Sequence, residues 1–474
     1  MEHKKMYING EWMGLEEKID VHNPATKEVF ATVPKGGTKE AKAAVDAAHA
    51  TFQSWSKLTA QDRASYLKKW HQLIEENRYE IAEIMTTEQG KPLKEALGEV
   101  NYANSFIEWY AEEGKRIYGE TIPASHPNKR ILVLKQPVGV IAAITPWNFP
   151  AAMITRKVGP ALAAGCTAVI KPASQTPLTA LKLIELAHEA GIPKGVLNVV
   201  TGSARAIGET WLHDPRVRKI SFTGSTEVGK QLMRDASYTM KKVSLELGGH
   251  APFLVFDDAN VDEAVEAVIA SKFRNAGQTC ICTNRIYVQE SVYEEFTEKF
   301  VAAVKKLNVA DGKKDGTDIG PLIDEHALEK VKEHIQDAEQ KGGKVLYGGK
   351  QLAKEGYFIE PAVIADANDE MLCMYEETFG PVAPIASFRT MEEAIERANN
   401  TPYGLAAYVF TNDLSKAFHV SEQLEYGIVG LNDGLPSVAQ APFGGFKESG
   451  IGREGGHFGI EEYVEIKYVS IGLS

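Results

Sequence analysis

Between residues 39 and 118 apolar side chains recur at spacings of three and four, as in EAKAAVDAAHATFQSW and SYLKKWHQLIEENRYEIAEIM, with few breakers between them. That spacing predicts a layer of amphipathic helices. From 138 to 256 the pattern changes to short β-branched runs, VGVIAAI, TAVIK, VLNVV, KISF, VSLEL and PFLVF, alternating with helical segments. Such alternation predicts a parallel sheet wrapped by helices, a unit suited to binding a nucleotide. A second alternating region runs from about Asp262 to Asn432, with helical VYEEFTEKFVAAVKKL and strand-like AAYVFT and GIVGLN. Two stretches outside both, NKRILVLKQP and the terminal YVEIKYVSI, alternate apolar and polar positions as half-buried strands do. Their unpaired edges invite a second copy of the chain.

A chain of 474 residues exceeds one compact core, so two or more domains of ~100–200 residues are expected. Hydrophobic content of 44% with 24% charge excludes a disordered or fibrous class. A net charge of −12 argues against nucleic acid or an anionic membrane as partner, since both require a concentrated basic face. The start, MEHKKMYINGEW, lacks the apolar segment of a secretory signal, and no long apolar run follows, so a cytoplasmic protein is expected. Four cysteines, Cys166, Cys280, Cys282 and Cys373, do not make a disulfide framework and leave thiols free for chemistry. The histidines are scattered, without H-E-x-x-H or C-x-x-C spacing, so no metal site is expected.

Three runs carry candidate chemistry. FRNAGQTCIC, Phe273 to Cys282, places Cys280 in a Gly/Gln/Thr turn after a helical segment, where a thiol has room to receive a substrate. LELGG, Leu245 to Gly249, ends an apolar strand with the carboxylate of Glu246, a candidate base. ITPWNFP, Ile144 to Pro150, sets Asn148 in a proline-flanked loop, its amide a candidate oxyanion donor. Each has a bland alternative: a buried packing cysteine, a solvated glutamate, a turn-forming asparagine. FTGSTEVGK nearly spells a phosphate-binding loop of the G-x-x-x-x-G-K-[ST] type through Gly224, Gly229 and Lys230, but Gln231 stands where the Mg²⁺-ligating hydroxyl belongs. The better reading is a strand, KISF, delivering Gly224 and Ser225 to a helix N-terminus that attracts a dinucleotide phosphate.

With KPAS, FTGSTEVG and EETFGPV in order among them, these motifs resemble the aldehyde dehydrogenase superfamily nearly end to end. The resemblance implies an α/β fold with a Rossmann-like cofactor domain (1–118 and 139–250), an α/β catalytic domain (251–440) and a small β oligomerisation arm (119–138 and 441–474), in a homodimer or homotetramer. It implies Cys280 as nucleophile, Glu246 as the base that activates water, and Asn148 with the Cys280 N–H as oxyanion donors. NADP or NAD would lie along Trp147, Lys171, Ser174, Gly224, Ser225, Leu247 and Glu377, with Lys171 and Ser174 at the adenine ribose and Glu377 at the nicotinamide ribose. Serine at 174, where NAD-preferring relatives often carry Glu, cannot repel a 2′-phosphate, so NADP is expected to be accepted well.

The same resemblance puts Arg156 and Arg274 near the active centre, and two guanidinium groups there imply an aldehyde with a terminal carboxylate. Together with Ser437 this points to the semialdehyde-oxidising branch of the superfamily. Its substrate would be succinate semialdehyde, or a close ω-carboxy aldehyde such as glutarate semialdehyde; a cofactor-free thiol esterase is the rival reading. Two departures stand out: PSVAQ replaces a common ISxE type of loop, and His250 follows LELGG where Asn or Lys is commoner. Finally, in an extended segment Cys280 and Cys282 would have Cα atoms roughly 6.5 Å apart, so a strained, easily reduced disulfide is conceivable.

Overall fold

The computed structural model describes residues 2–352 and 355–473. The periodic stretch folds as the helices Thr38–Trp55, Ala60–Glu76, Arg78–Gln89 and Leu93–Glu113. Their apolar stripes, including Trp55, Leu67, Trp70, Ile74, Met85 and Phe106, pack with the helix Ala152–Ala164 into one buried core. Trp70 donates its indole N–H to the carbonyl of Leu183 at 2.9 Å, which satisfies the one polar atom the ring would otherwise bury. The helix Arg78–Gln89 stops at Gly90, whose φ of +97° suits glycine, and Pro92 prevents its continuation. Lys91 is thereby left between two helices.

Two sheets carry the rest. The first has eight strands; its centre is the parallel set Lys242–Glu246, Val217–Thr223, Val140–Ile144, Thr167–Lys171 and Leu197–Val199 in that spatial order. These are nearly continuous apolar runs because helices cover both faces. The second has seven strands, with Thr283–Gln289, Ala251–Val255 and Ala406–Phe410 at its centre. The run PFLVF, grouped above with the first alternating region, therefore belongs to the other sheet. Gly248 and Gly249 let the chain cross: a Cβ on Gly249 would stand 2.2 Å from the carbonyl oxygen of Cys280.

The two outlying segments pair with each other. Lys129–Pro137 lies antiparallel to Val464–Gly472 along its whole length, with Glu120–Ile122 on its other side. Val464–Gly472 is an edge strand of that small sheet and leaves Ile466 and Tyr468 exposed at 73% and 61%. Among the described residues no helix is long and apolar enough to cross a membrane.

Gly249→Ala is expected to lower the stability of the folded chain by about 1–3 kcal/mol, the usual cost of forcing extra volume into packed backbone. Urea unfolding of the variant beside the wild type measures it; an unchanged midpoint would show that the two segments are not in such close contact.

Candidate active site

The three chemistry-bearing segments meet where the two sheets come together. Glu246 is the last residue of its strand, and the peptide N–H of Gly224 on the neighbouring strand's exit donates to its carbonyl at 3.1 Å. Asn148 lies four residues beyond the strand Val140–Ile144. Cys280 follows the helix Val261–Phe273 through a turn in which Asn275, Ala276 and Gly277 all have positive φ, at 51°, 56° and 76°. Left-handed backbone at Ala276 is strained, and strain of this kind is held in place by surrounding structure. Here Gln278 supplies part of it, with its side-chain oxygen accepting from the Ile323 N–H at 2.9 Å.

Cys280 is the one cysteine of the four that is not fully buried. Burial pushes its thiol up to about 12, opposed chiefly by the charge of Arg156; the charges of Glu377, Glu246 and Arg274 also act on it. Glu246 is buried with neither carboxylate oxygen hydrogen-bonded within the protein. Burial raises its pKa well above the usual carboxylate range, the negative charge of Glu454 adds to this, and Arg156 and Lys157 oppose it. Asn148 is buried; its Nδ2 donates to the carbonyl of Gln278 at 3.0 Å, and its Oδ1 has no partner. A thiol, a buried carboxyl with a raised pKa, and an amide are thus brought to the meeting of the two sheets.

Apart from Glu377, the residues expected along a dinucleotide lie at the ends of the first sheet's strands and on the segments that follow them. Ser225 caps the helix Thr226–Ala236, accepting from the Val228 N–H, so the helix N-terminus opens beside Gly224. Leu247 packs on Gly229, where any Cβ would stand 2.3 Å from it. Lys171, at the end of its strand, donates to the Pro172 carbonyl at 2.9 Å, and burial lowers its pKa to about 8. Ser174 is half-buried three residues on, and Trp147 meets Phe379 edge to face at 5.5 Å between ring centres. Glu377 accepts from the Gly249 N–H at 3.0 Å; burial raises its pKa to about 7. A Cβ on Gly248 would come within 2.9 Å of that carboxylate. The anion-attracting helix end, the buried lysine and the carboxylate fit the phosphates and ribose hydroxyls of a nicotinamide dinucleotide.

The expected anion clamp is only half open. Arg156 is buried and its Nε pairs with Glu454 at 2.7 Å, while its guanidinium lies 3.9 Å from the centre of the Phe443 ring. Its Nη2 is buried without a hydrogen-bond partner. Arg274 is half-buried, with an unpartnered Nε and Phe149 beside it at 5.2 Å. Ser437 shares a 2.5 Å hydrogen bond with the hydroxyl of Tyr102. His250 is buried with both ring nitrogens unpartnered, and burial holds it neutral.

Other residues at the site were not singled out from sequence. Glu454 accepts from Lys157 as well as Arg156; burial would raise its pKa, but the two cations hold it below the usual range. Its backbone exchanges hydrogen bonds with Phe443 at 2.6 and 2.8 Å. A lone glutamate in the glycine-rich GREGG was the available signal. Lys91 donates to the carbonyl of Asn148 at 2.8 Å, and its signal was a polar residue at a Gly/Pro helix break. One expectation is corrected: Thr279 to Cys282 is a turn, closed by the Cys282 N–H donating to the Thr279 carbonyl at 3.0 Å. The extended geometry assumed for a Cys280–Cys282 bridge is absent, and the buried Cys282 sulfur faces Lys272 Nζ at 3.4 Å instead.

A turn-borne cysteine, a strand-end glutamate and a loop asparagine thus stand where the two α/β sheets meet. The chain belongs to the aldehyde dehydrogenase family, whose model matches residues 12–469. It is 58% identical to the NADP(+) succinate-semialdehyde dehydrogenase of Escherichia coli (strain K12) over 98% of this chain and 97% of that one. It is also 58% identical to the glutarate-semialdehyde dehydrogenase of Pseudomonas putida, over 99% and 98%. A crystal structure of an E. coli NADP-dependent enzyme superposes with a TM-score of 0.98 at 57% identity, covering 99% of this chain and 98% of that one.

With Glu246 as the expected base, turnover limited by deacylation should rise with pH through a pKa above the ordinary ~4.3 of glutamate. The pH profile of kcat checks this: an acid limb near ~4 would mean that the carboxylate is not buried as described. With a nitrophenyl ester and no cofactor, Glu246→Gln should release one equivalent of nitrophenol and then slow by roughly 10²–10⁴.

Proposed function

We propose that this protein oxidises succinate semialdehyde, or a close ω-carboxy aldehyde, to the corresponding diacid with NADP or NAD. The observation that carries the reading is the pair of buried guanidinium N–H groups, on Arg156 and Arg274, that find no hydrogen-bond partner in the chain beside the reactive thiol. Buried donors left unsatisfied cost about 1–3 kcal/mol each, more when charged, and an anionic substrate group removes that cost. A carboxylate held there leaves the other end of a short chain at Cys280.

Chemistry follows from the same geometry. Cys280 gives its thiol proton to water and the sulfur adds to the aldehyde carbon, and the oxyanion that forms takes hydrogen bonds from the Asn148 amide and the Cys280 N–H. Lys171, Ser174, Gly224, Ser225, Leu247, Trp147 and Glu377 would hold a nicotinamide dinucleotide, which would supply the hydride acceptor needed to oxidise the thiohemiacetal to a thioester. Glu246 then removes a proton from water as it attacks the thioester carbon, and the acid leaves with Cys280 free again. Glu246 acts here in its carboxylate form, which burial and the charge of Glu454 disfavour. A dedicated hydrolytic base supports a free acid as product.

Glutarate semialdehyde is the second reading, favoured by the Pseudomonas putida relative at equal identity. Initial rates with acetaldehyde, succinate semialdehyde, glutarate semialdehyde and aminobutyraldehyde decide between them. The exposed Ile466 and Tyr468 on an edge strand support self-association into a dimer or tetramer. Free thiols on all four cysteines support a reducing, cytoplasmic setting, and a place in 4-aminobutyrate degradation is consistent with the substrate.

Arg274→Ala should raise KM for succinate semialdehyde by the equivalent of about 2–5 kcal/mol, with a far smaller effect on propionaldehyde. Equal losses for both substrates would remove the anion pocket. Arg156→Ala should show the same selectivity with an added loss of stability, because it removes one of the two cations that hold the buried Glu454. Ser174→Glu should shift kcat/KM from NADP toward NAD; an unaltered ratio of the two constants would refute its place at the adenine ribose.

A further inference from the structure

The Gln89–Pro92 break in the helical layer sends its polar atoms into the active-site loop. Lys91 is 1% exposed and forms a buried ion pair with Glu99, also 1% exposed. Its Nζ also donates to the backbone carbonyl of Asn148 at 2.8 Å, and the Asn275 side-chain amide donates to that same oxygen at 2.9 Å. Glu99 uses its other oxygen to accept from the Ala151 and Ala152 N–H groups, at 2.9 and 3.3 Å, at the start of the helix that follows. Gln89 joins the two sides, donating to Asn275 Oδ1 at 2.8 Å and accepting from the Lys91 N–H at 2.9 Å. Lys91 also lies 4.0 Å from the centre of the Phe149 ring. Residues 148–152 are therefore gripped at both ends by one polar cluster.

Such a cluster is a poor device for stability. A buried Lys–Glu pair is often matched or exceeded by apolar residues of similar volume, since both charges must be stripped of water. Helix capping explains Glu99 but not Lys91, whose second hydrogen bond goes to a carbonyl in the loop before the helix. Asn148 itself has an unpartnered Oδ1 and a single bond from Nδ2, so the side chain's direction depends on how its backbone is held.

We propose that Lys91, braced by Glu99 and Asn275, is a positioning residue that aims the Asn148 amide at the oxyanion formed on Cys280. The proposal rests on the oxyanion role given to Asn148 above. Misplacing a donor by about 1 Å is enough to cost ~10² in rate. Lys91 touches neither substrate nor cofactor and acts through the loop.

The test is a double-mutant cycle read with a nitrophenyl ester in the absence of cofactor, following the acylation burst. Asn148→Ala should slow acylation by ~10²–10³, and Lys91→Met by at least about tenfold. In the Asn148→Ala background, Lys91→Met should have no further effect, because there is no amide left to aim. Lys91→Met/Glu99→Gln, which removes both charges together, guards against a variant that fails to fold. Lys91→Arg should recover part of the rate. Alkylation of Cys280 by iodoacetamide develops no oxyanion and should proceed at the native rate in every variant. Losses that multiply in the double variant, or alkylation that slows in step with acylation, overturn the proposal. Native acylation in Asn148→Ala would instead overturn the oxyanion reading on which it rests.

Discussion

The main chains of Gly249 and Cys280 touch, and the catalytic centre depends on that contact. One segment leaves the first sheet at Glu246; the other enters the second sheet at Thr283. Without side chains at 248 and 249, the segments that carry Glu246 and Cys280 come from different sheets yet approach closely. Glutamate and cysteine on a single strand would be fixed at the strand's own repeat. Drawn from two sheets, they can be set at whatever separation the packing of the sheets provides, and Glu377 reaches back over the same crossing to hold the Gly249 N–H.

Charge is distributed at this crossing with one sign for each task. Glu454 keeps its negative charge because Arg156 and Lys157 both bond it. Glu246, with no such partner, has its pKa raised by burial and by the charge of Glu454. Two buried glutamates thus have their pKa values pushed in opposite directions by their surroundings, the pattern by which carboxylates divide labour at active sites. The arginine that answers Glu454 still has a donor to spare, and it borders the thiol.

The helices and central strands were legible because buried stripes and buried runs repeat at the spacing of their own hydrogen-bond geometry. Cys280, Glu246 and Asn148 were legible for a different reason: each follows an apolar run and stands among residues that break it. Lys91 and Glu99 were not, since in an amphipathic helical layer two charges eight residues apart look like solvated surface. Glu454 was hidden in a glycine-rich run whose folding back is a tertiary event. PFLVF was read into the wrong sheet because a strand's sequence reveals its burial but not its neighbours. The turn at Cys280 to Cys282 escaped notice because a single backbone hydrogen bond to Thr279 decides it.

Placing Ser225 and Leu247 on one side of the cleft and Glu377 on the other has a further effect. Any molecule that binds both sides also braces one sheet against the other. Its affinity is then linked to the alignment of thiol and base, and linkage runs both ways. A change deep in the packing between the sheets, far from any ligand atom, would be felt first as a change in how tightly the dinucleotide is held. Conversely, the arrival of the dinucleotide would stiffen the geometry in which the thiol meets its substrate. The cleft is in this sense a hinge with its own fastening, and the cofactor is the pin.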